Sequence, residues 1–303
     1  MNSISAKITS IIFLFLLGYI LKRINFLTKD HASLFLKIVM YVALPALIIP
    51  SVASMELSLS LLRLPFIAIL IMLILFSFSF FIIKLFSASK QTTGTFLLSV
   101  MIMNLSFVLP FFLAVAGEEN IAYFLFFNLG HDILLFSFVY TLACYYGRKE
   151  GIGFDWKRTI KKLLSLPPLW ALLVGLFLNF TNTPVPSLLE PTLTIIGGLL
   201  VPLALLALGV YFEFQIKKPI LFTTALLLRM GVGFLLGQLF IWLFSLEGIE
   251  KLVVLLCSLA PIGFNTLVFS SLENLDKETA AQFVSFALFV GMIVYSIVLL
   301  FIA

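Results

Sequence analysis

Apolar runs of about twenty residues succeed one another along this chain, with only short charged stretches between them. A helix of that length crosses the hydrocarbon of a bilayer, and little else can be built from such a pattern. Ten runs are present, at 5–21, 31–53, 64–87, 92–116, 120–146, 167–182, 187–212, 219–245, 249–272 and 278–302. Charged residues make up 11% and hydrophobic residues 62% of the 303. A soluble domain carries about twice that charged fraction. Open sheets leave backbone groups unpaired in lipid, and the runs are far longer than a barrel strand. The expected fold is therefore an all-α integral membrane protein of ten transmembrane helices.

The same composition excludes several functions. The net charge of +5 comes from residues scattered through short loops, so no nucleic-acid surface is expected. Cys144 and Cys257 both sit in apolar segments and form neither a disulfide framework nor a metal set. His31 stands at a loop edge, and neither it nor His131 lies in a metalloprotease motif. No nucleophile motif and no phosphate loop is present, so we expect no enzyme activity, no catalytic residues, no metal site and no cofactor. Lys7 precedes an apolar run ending at Lys22-Arg23 with no small-residue cleavage site, which reads as a retained first span.

Basic residues orient the spans. With the N-terminus outside, 15 of the 19 Lys and Arg fall on the inner side, leaving Lys7, Arg63 and Lys251 outside and Arg229 within a span. This bias predicts a multi-pass protein of the cell membrane with both termini outside. The longest loop, 147–168, is basic, and Trp156, Ile160, Leu163 and Leu164 fall on one helical face. It reads as a cytoplasmic amphipathic linker, residues 147–166, between two halves.

Those halves share a pattern. An ungapped offset of 157 residues takes Gly18 to Gly175, Pro45 to Pro202 and Asn104 to Pro261. The first five-helix repeat covers residues 1–146 and the second 167–303. Five crossings are an odd number, so the second copy enters the membrane inverted. A 5+5 inverted repeat is a common transporter architecture, with its binding site near the midplane on interrupted helices.

The fourth and ninth runs supply the interruptions. MIMNLSFVLP carries Asn104, Ser106 and Pro110, and LAPIGFNTLVF carries Pro261, Gly263, Asn265 and Thr266. Pro110 and Pro261 remove helix hydrogen bonds at the carbonyls of Ser106 and Cys257. Each span is expected to split into half-helices that cross, with amide N–H groups and Asn side chains converging on an anion. Phe107, Phe111 and Phe264 are expected as an apolar wall. Proline kinks with Asn bonding freed carbonyls are the plainer account of the same residues.

At these positions the chain resembles the auxin efflux carrier family, the PIN-like carriers, over essentially its whole length. LGYILKRINFL, YVALPALI, NLSFVLP and LAPIGFNTLVFSSL carry the resemblance. It departs from bacterial members in having no Gly beside Asn104. The resemblance implies a secondary transporter of small organic anions such as auxin or dicarboxylates. It further implies a scaffold domain of spans 1, 2, 6 and 7, a mobile transport domain of spans 3–5 and 8–10, and a homodimer through the scaffold. An ion-coupled carrier resembling the bile-acid symporters, or a non-transporting sensor of the same fold, are the alternatives.

Four more polar residues lie at depth. Asp132 stands about 18 Å along its helix from Asn120, and Arg229 about 16 Å from Lys218. An Asp132–Arg229 ion pair is expected, because an unpaired charge at that depth is costly. It would be either a structural bridge or, with Asn128 and His131, an ion- or proton-coupling site.

Overall fold

The computed structural model describes residues 3–54, 59–147, 164, 167–212 and 217–302. The amphipathic linker lies almost wholly outside the described residues. Among the described residues the main helices follow in order: α1 Ser3–Arg23, α2 Lys29–Ser54, α3 Arg63–Leu85, α4 Lys90–Met101, α5 Leu105–Ala116 and α6 Glu118–Gly147. After the linker come α7 Pro167–Phe180, α8 Glu190–Tyr211, α9 Pro219–Leu243, α10 Gly248–Ser258, α11 Asn265–Leu272 and α12 Lys277–Ile302. Six of them (α2, α3, α6, α8, α9 and α12) are long and apolar enough to cross a membrane. Leu105–Ala116 and Trp170–Phe180 are shorter apolar helices. Apart from one isolated antiparallel bridge, the described residues contain no extended pairing. Phe13, Phe81, Phe177 and Trp242 are exposed on helix surfaces, which suits a lipid-facing exterior and not a watery one.

Local chemistry sets the helix ends. Thr28 and His31 form a reciprocal cap on α2, with Thr28 N–H donating to His31 Nδ1 at 3.2 Å. That assigns the loop-edge histidine a structural task. Ser89 caps α4 through Thr92 N–H, and Asp276 caps α12 through Thr279 N–H at 3.1 Å. Gly117, at φ 84, ends α5 in a conformation that a side chain would strain.

Two groups of helices pack around different seams. α1 and α2 lie against α8, and α2 also against α7. Small residues permit the closest approach: a Cβ on Gly18 would stand 2.3 Å from Leu206 O, and one on Gly209 2.0 Å from Phe15 O. The second group is α3 against α6, α4 against α3, α6 and α12, and α10 against α9. Among the described residues, three helices carry a π-helical turn, at Val39–Ala43, Leu135–Val139 and Leu227–Val232. Such turns widen a helix and recur at functional positions. Here the first two border a cavity described below, and the third carries Arg229.

Candidate substrate site at the helix crossing

The breaks between α4 and α5 and between α10 and α11 meet face to face. Met103 and Ile262 form the antiparallel bridge. Asn104 N–H donates to Pro261 O and Gly263 N–H to Ile102 O, each at 2.9 Å. A Cβ on Gly263 would fall 2.6 Å from Ile102 Cγ2 and 2.7 Å from Met103 O, so only glycine lets the strands close. The interruption is therefore a short two-stranded strap and not a pair of proline kinks. Pro110 lies inside α5, six residues past the break, and is buried there. The Cys257 carbonyl, expected to be freed by Pro261, accepts from Ala260 N–H at 3.2 Å as the last turn of α10 tightens.

Four half-helix ends converge on this strap. The two C-terminal ends belong to α4 and α10, and Arg229 serves both. Its guanidinium is fully buried and donates to Ser258 O (Nη2, 2.6 Å), Ala260 O (Nε, 3.1 Å) and Val100 O (Nη1, 3.4 Å). Each helix C-terminus carries a partial charge of roughly −0.5, so two ends balance about one guanidinium. The expected Asp132–Arg229 pair is thus absent. Arg229 has carbonyls for partners, and among the described residues no carboxylate bonds to it.

Asp132 is held on its own helix. Asn128 Nδ2 donates to Asp132 Oδ2 at 2.8 Å, and His131 Nδ1 lies 3.1 Å from Asp132 Oδ1. His131 Nε2 accepts from Met103 N–H at 3.3 Å, which ties this cluster to the strap. The explanation lies in the bridge: Met103 occupies a non-hydrogen-bonded pair, so its N–H turns away from Ile262 and needs another acceptor.

The N-terminal ends, of α5 and α11, border a cavity of about 370 Å³. Its polar wall consists of Asn104, Ser106, Asn128, His131, Asp132 and Asn265. Six of the sequence-predicted polar residues thus share one chamber. Pro110, Pro261, Gly263 and Thr266 are buried and not in its wall. The apolar wall differs from expectation. Phe264 lines it, but Phe107 and Phe111 are fully buried against Tyr295. Met40, Tyr41 and Leu44 of α2 and Leu172 of α7 take their place. The sequence does not mark them as cavity residues, because an apolar side chain in a membrane helix carries no sign of whether it faces lipid or a cavity.

Among the described residues, two buried side-chain polar atoms lack a hydrogen-bond partner, Asn104 Nδ2 and Thr266 Oγ1. Asn104 Oδ1 accepts from Phe107 N–H at 3.2 Å and caps α5. Capping therefore satisfies one end of the amide and leaves the other unsatisfied. An unpaired buried donor is costly and uncommon, and a cavity-lining residue that carries one is a candidate ligand contact. A larger open cleft of about 990 Å³ lies between the C-terminal ends of α2 and α7, but it contains none of the strap residues.

Comparison with known proteins decides the family. The chain belongs to the membrane transport protein family, whose model matches residues 3–303. This is the auxin efflux carrier, PIN-like group that its motifs resemble. A protein of Methanocaldococcus jannaschii described as an uncharacterized transporter is 27% identical over 286 residues, covering 90% of each chain. Another so described, from Methanothermobacter thermautotrophicus, is 24% identical over 280 residues, covering 91% of this chain and 90% of its own. The chain is accordingly a multi-pass membrane protein of a transporter family, which handles a small substrate within the bilayer.

Proposed function

We propose that this chain is a secondary carrier of small organic anions, working by alternating access at the strap between the two broken helices. The observation that carries the reading is that Asn104, whose Nδ2 has no partner, lines a cavity bordered by two helix N-termini. Anions gain from N–H donors and from the positive ends of helix dipoles. The apolar share of the wall, from Met40, Tyr41, Phe124 and Phe264, suits a carboxylate with an apolar body.

The cavity also touches both helix groups, since α2 and α7 supply one wall and α5, α6 and α11 the other. That supports a scaffold of spans 1, 2, 6 and 7 and a moving domain of spans 3–5 and 8–10. Contact between Asn104 and Pro261, equivalent under the 157-residue offset, is what an inverted repeat of ten spans would produce near its pseudo-axis.

Binding of a carboxylate panel to protein in nanodiscs tests the site. Asn104→Ala and Asn265→Ala each remove a hydrogen bond to a charged group, roughly 1.5–3 kcal/mol, and affinity should fall about ten- to a hundredfold. Wild-type affinity in both variants would place the site elsewhere. For orientation, Glu118→Cys in a cysteine-free background should react with an impermeant thiol reagent from outside the cell, and Lys161→Cys should not. The reverse labelling would invert the topology.

A further inference from the structure

The proposed anion cavity contains a carboxylate of its own. Asp132 lines it and its side chain is 23% exposed, whereas His131 beside it is only 3% exposed. Two carboxylates that share one site do not both stay ionised, and one of them takes a proton. We propose that Asp132 takes up one proton with each substrate anion and releases it with the anion on the other side, so that the carrier is an anion–proton symporter. This rests on the anion site proposed above.

The hydrogen bonds single out the group that takes the proton. His131 Nε2 accepts from Met103 N–H, so it carries no proton. His131 is then the Nδ1–H tautomer, and it donates to Asp132 Oδ1. Protonating Nε2 would set two donors against each other at the strap. Asp132 accepts one bond at each oxygen, from His131 Nδ1–H at Oδ1 and from Asn128 Nδ2 at Oδ2, and each oxygen retains a second lone pair. A proton on this carboxylate therefore disturbs none of the three bonds and lets the acid donate to the substrate carboxylate. No covalent bond is made or broken except O–H: water on the open side supplies the proton, and water on the far side receives it.

Little else near the cluster titrates. Tyr41 faces the cavity from α2. Arg63 begins α3 and Lys84 ends it. α10 contributes Glu250 and Lys251 in its first turns and Cys257, fully buried. Glu118 and Glu119 begin α6 itself. α5 carries no charged residue, and Arg229 is engaged by three carbonyls.

The test uses full-length protein in nanodiscs and proteoliposomes, with benzoate, succinate and indole-3-acetate as probes. For the tightest-binding probe, Kd should rise by up to about tenfold per pH unit across part of the range from pH 5 to 8. A pH-indicator dye in weak buffer should report one proton taken up per anion bound. Asp132→Asn keeps an acceptor for His131 and supplies an amide donor in place of the acid. It should bind with a flat pH profile and sustain anion exchange, but lose accumulation driven by an inward proton gradient. Wild-type protein that binds without proton uptake overturns the assignment, as does an Asp132→Asn variant with the wild-type pH slope. The dye measurement needs no variant, so a misfolded mutant leaves the test intact. If none of the probes binds at any pH, the anion site itself falls and this inference with it. If binding is weakened by Asn104→Ala yet takes up no proton, only the role of Asp132 falls.

Discussion

The two sides of the strap differ in how their helix ends are satisfied. On the carbonyl side, the C-termini of α4 and α10 are closed by Arg229, whose three bonds reach Val100, Ser258 and Ala260. On the amide side, the N-termini of α5 and α11 border a cavity, and one polar atom from each of those helices has no partner. Both sides began with the same problem, since breaking a helix in lipid exposes groups that hydrocarbon cannot solvate. One side solved it with a covalently attached cation. The other supports a reading in which the solution is a ligand that comes and goes. The comparison sets a permanent counter-charge that closes one side against a buried Asn104 donor on the other that the proposed ligand would satisfy.

The sharpest way to break this contrast is to remove the permanent charge. Arg229→Met should leave carbonyls of two half-helices buried without donors. The expected loss is roughly 3–5 kcal/mol, which lowers Tm by roughly 10 °C in a chain of this size. Arg229→Lys should recover only part of it, because an ammonium is a point charge and cannot fork across carbonyls on two helices. Thermal unfolding in detergent reads the effect. Unchanged Tm in Arg229→Met would mean that the guanidinium is incidental to the crossing. The Asn104→Ala change should act the other way round, with binding weakened by one to two orders of magnitude and Tm lowered only by the lost cap of α5, about 1 kcal/mol or roughly 2–4 °C. Similar losses of Tm in both variants would erase the distinction between the two sides.

Sequence pattern revealed the membrane-embedded helices, because apolar runs and their charged boundaries are a direct consequence of bilayer thickness. It also revealed Asn104 and Asn265, amides at a depth where polarity is costly, and both line the cavity. It misplaced the break. Pro110 draws attention as a missing donor, yet α5 accommodates it, and the chain departs from helix at Ile102 instead. The strap depends on Gly263 and on backbone pairing, and backbone pairing leaves no residue signature. The Asp132–Arg229 expectation failed for a related reason. Helix rise gives depth along the bilayer normal but not which neighbour a side chain faces. A carbonyl at a helix end is a strong partner for Arg and is invisible in the sequence. Asn128, His131 and Asp132 fell together because positions three and four apart share a helix face, and that much periodicity does report.

The smallest expected effect lies at the edge of the bundle, at a carboxylate that resembles Arg229 in being fully engaged. Asp276 caps α12 and receives bonds from Lys218 Nζ at 2.7 Å, Thr279 Oγ1 at 2.7 Å and Thr92 Oγ1 at 2.8 Å. It thereby ties the first turns of α4, α9 and α12 together. Burial alone would raise this carboxyl, but the hydrogen bonds from Lys218, Thr279 and Thr92 outweigh it and hold the group well below the usual carboxylate range. A carboxyl lowered on folding stabilises the folded state above its unfolded value of 3.8, and that contribution fades as pH falls below it. Wild-type Tm should therefore decline as pH drops below about 4, and part of that decline should vanish in Asp276→Asn. Because the site is partly exposed, the difference should stay below about 1 kcal/mol, or about 2–4 °C. Asp276→Asn should leave carboxylate binding at pH 7 unchanged, since none of its partners lines the cavity. A variant that matched wild type through the acid range would show that these bonds join the helices without storing pH-dependent stability. One that lost ligand binding at pH 7 would show instead that satisfied polar clusters at the helix ends govern the crossing as strongly as the strap does, and the contrast between its two sides would no longer be local.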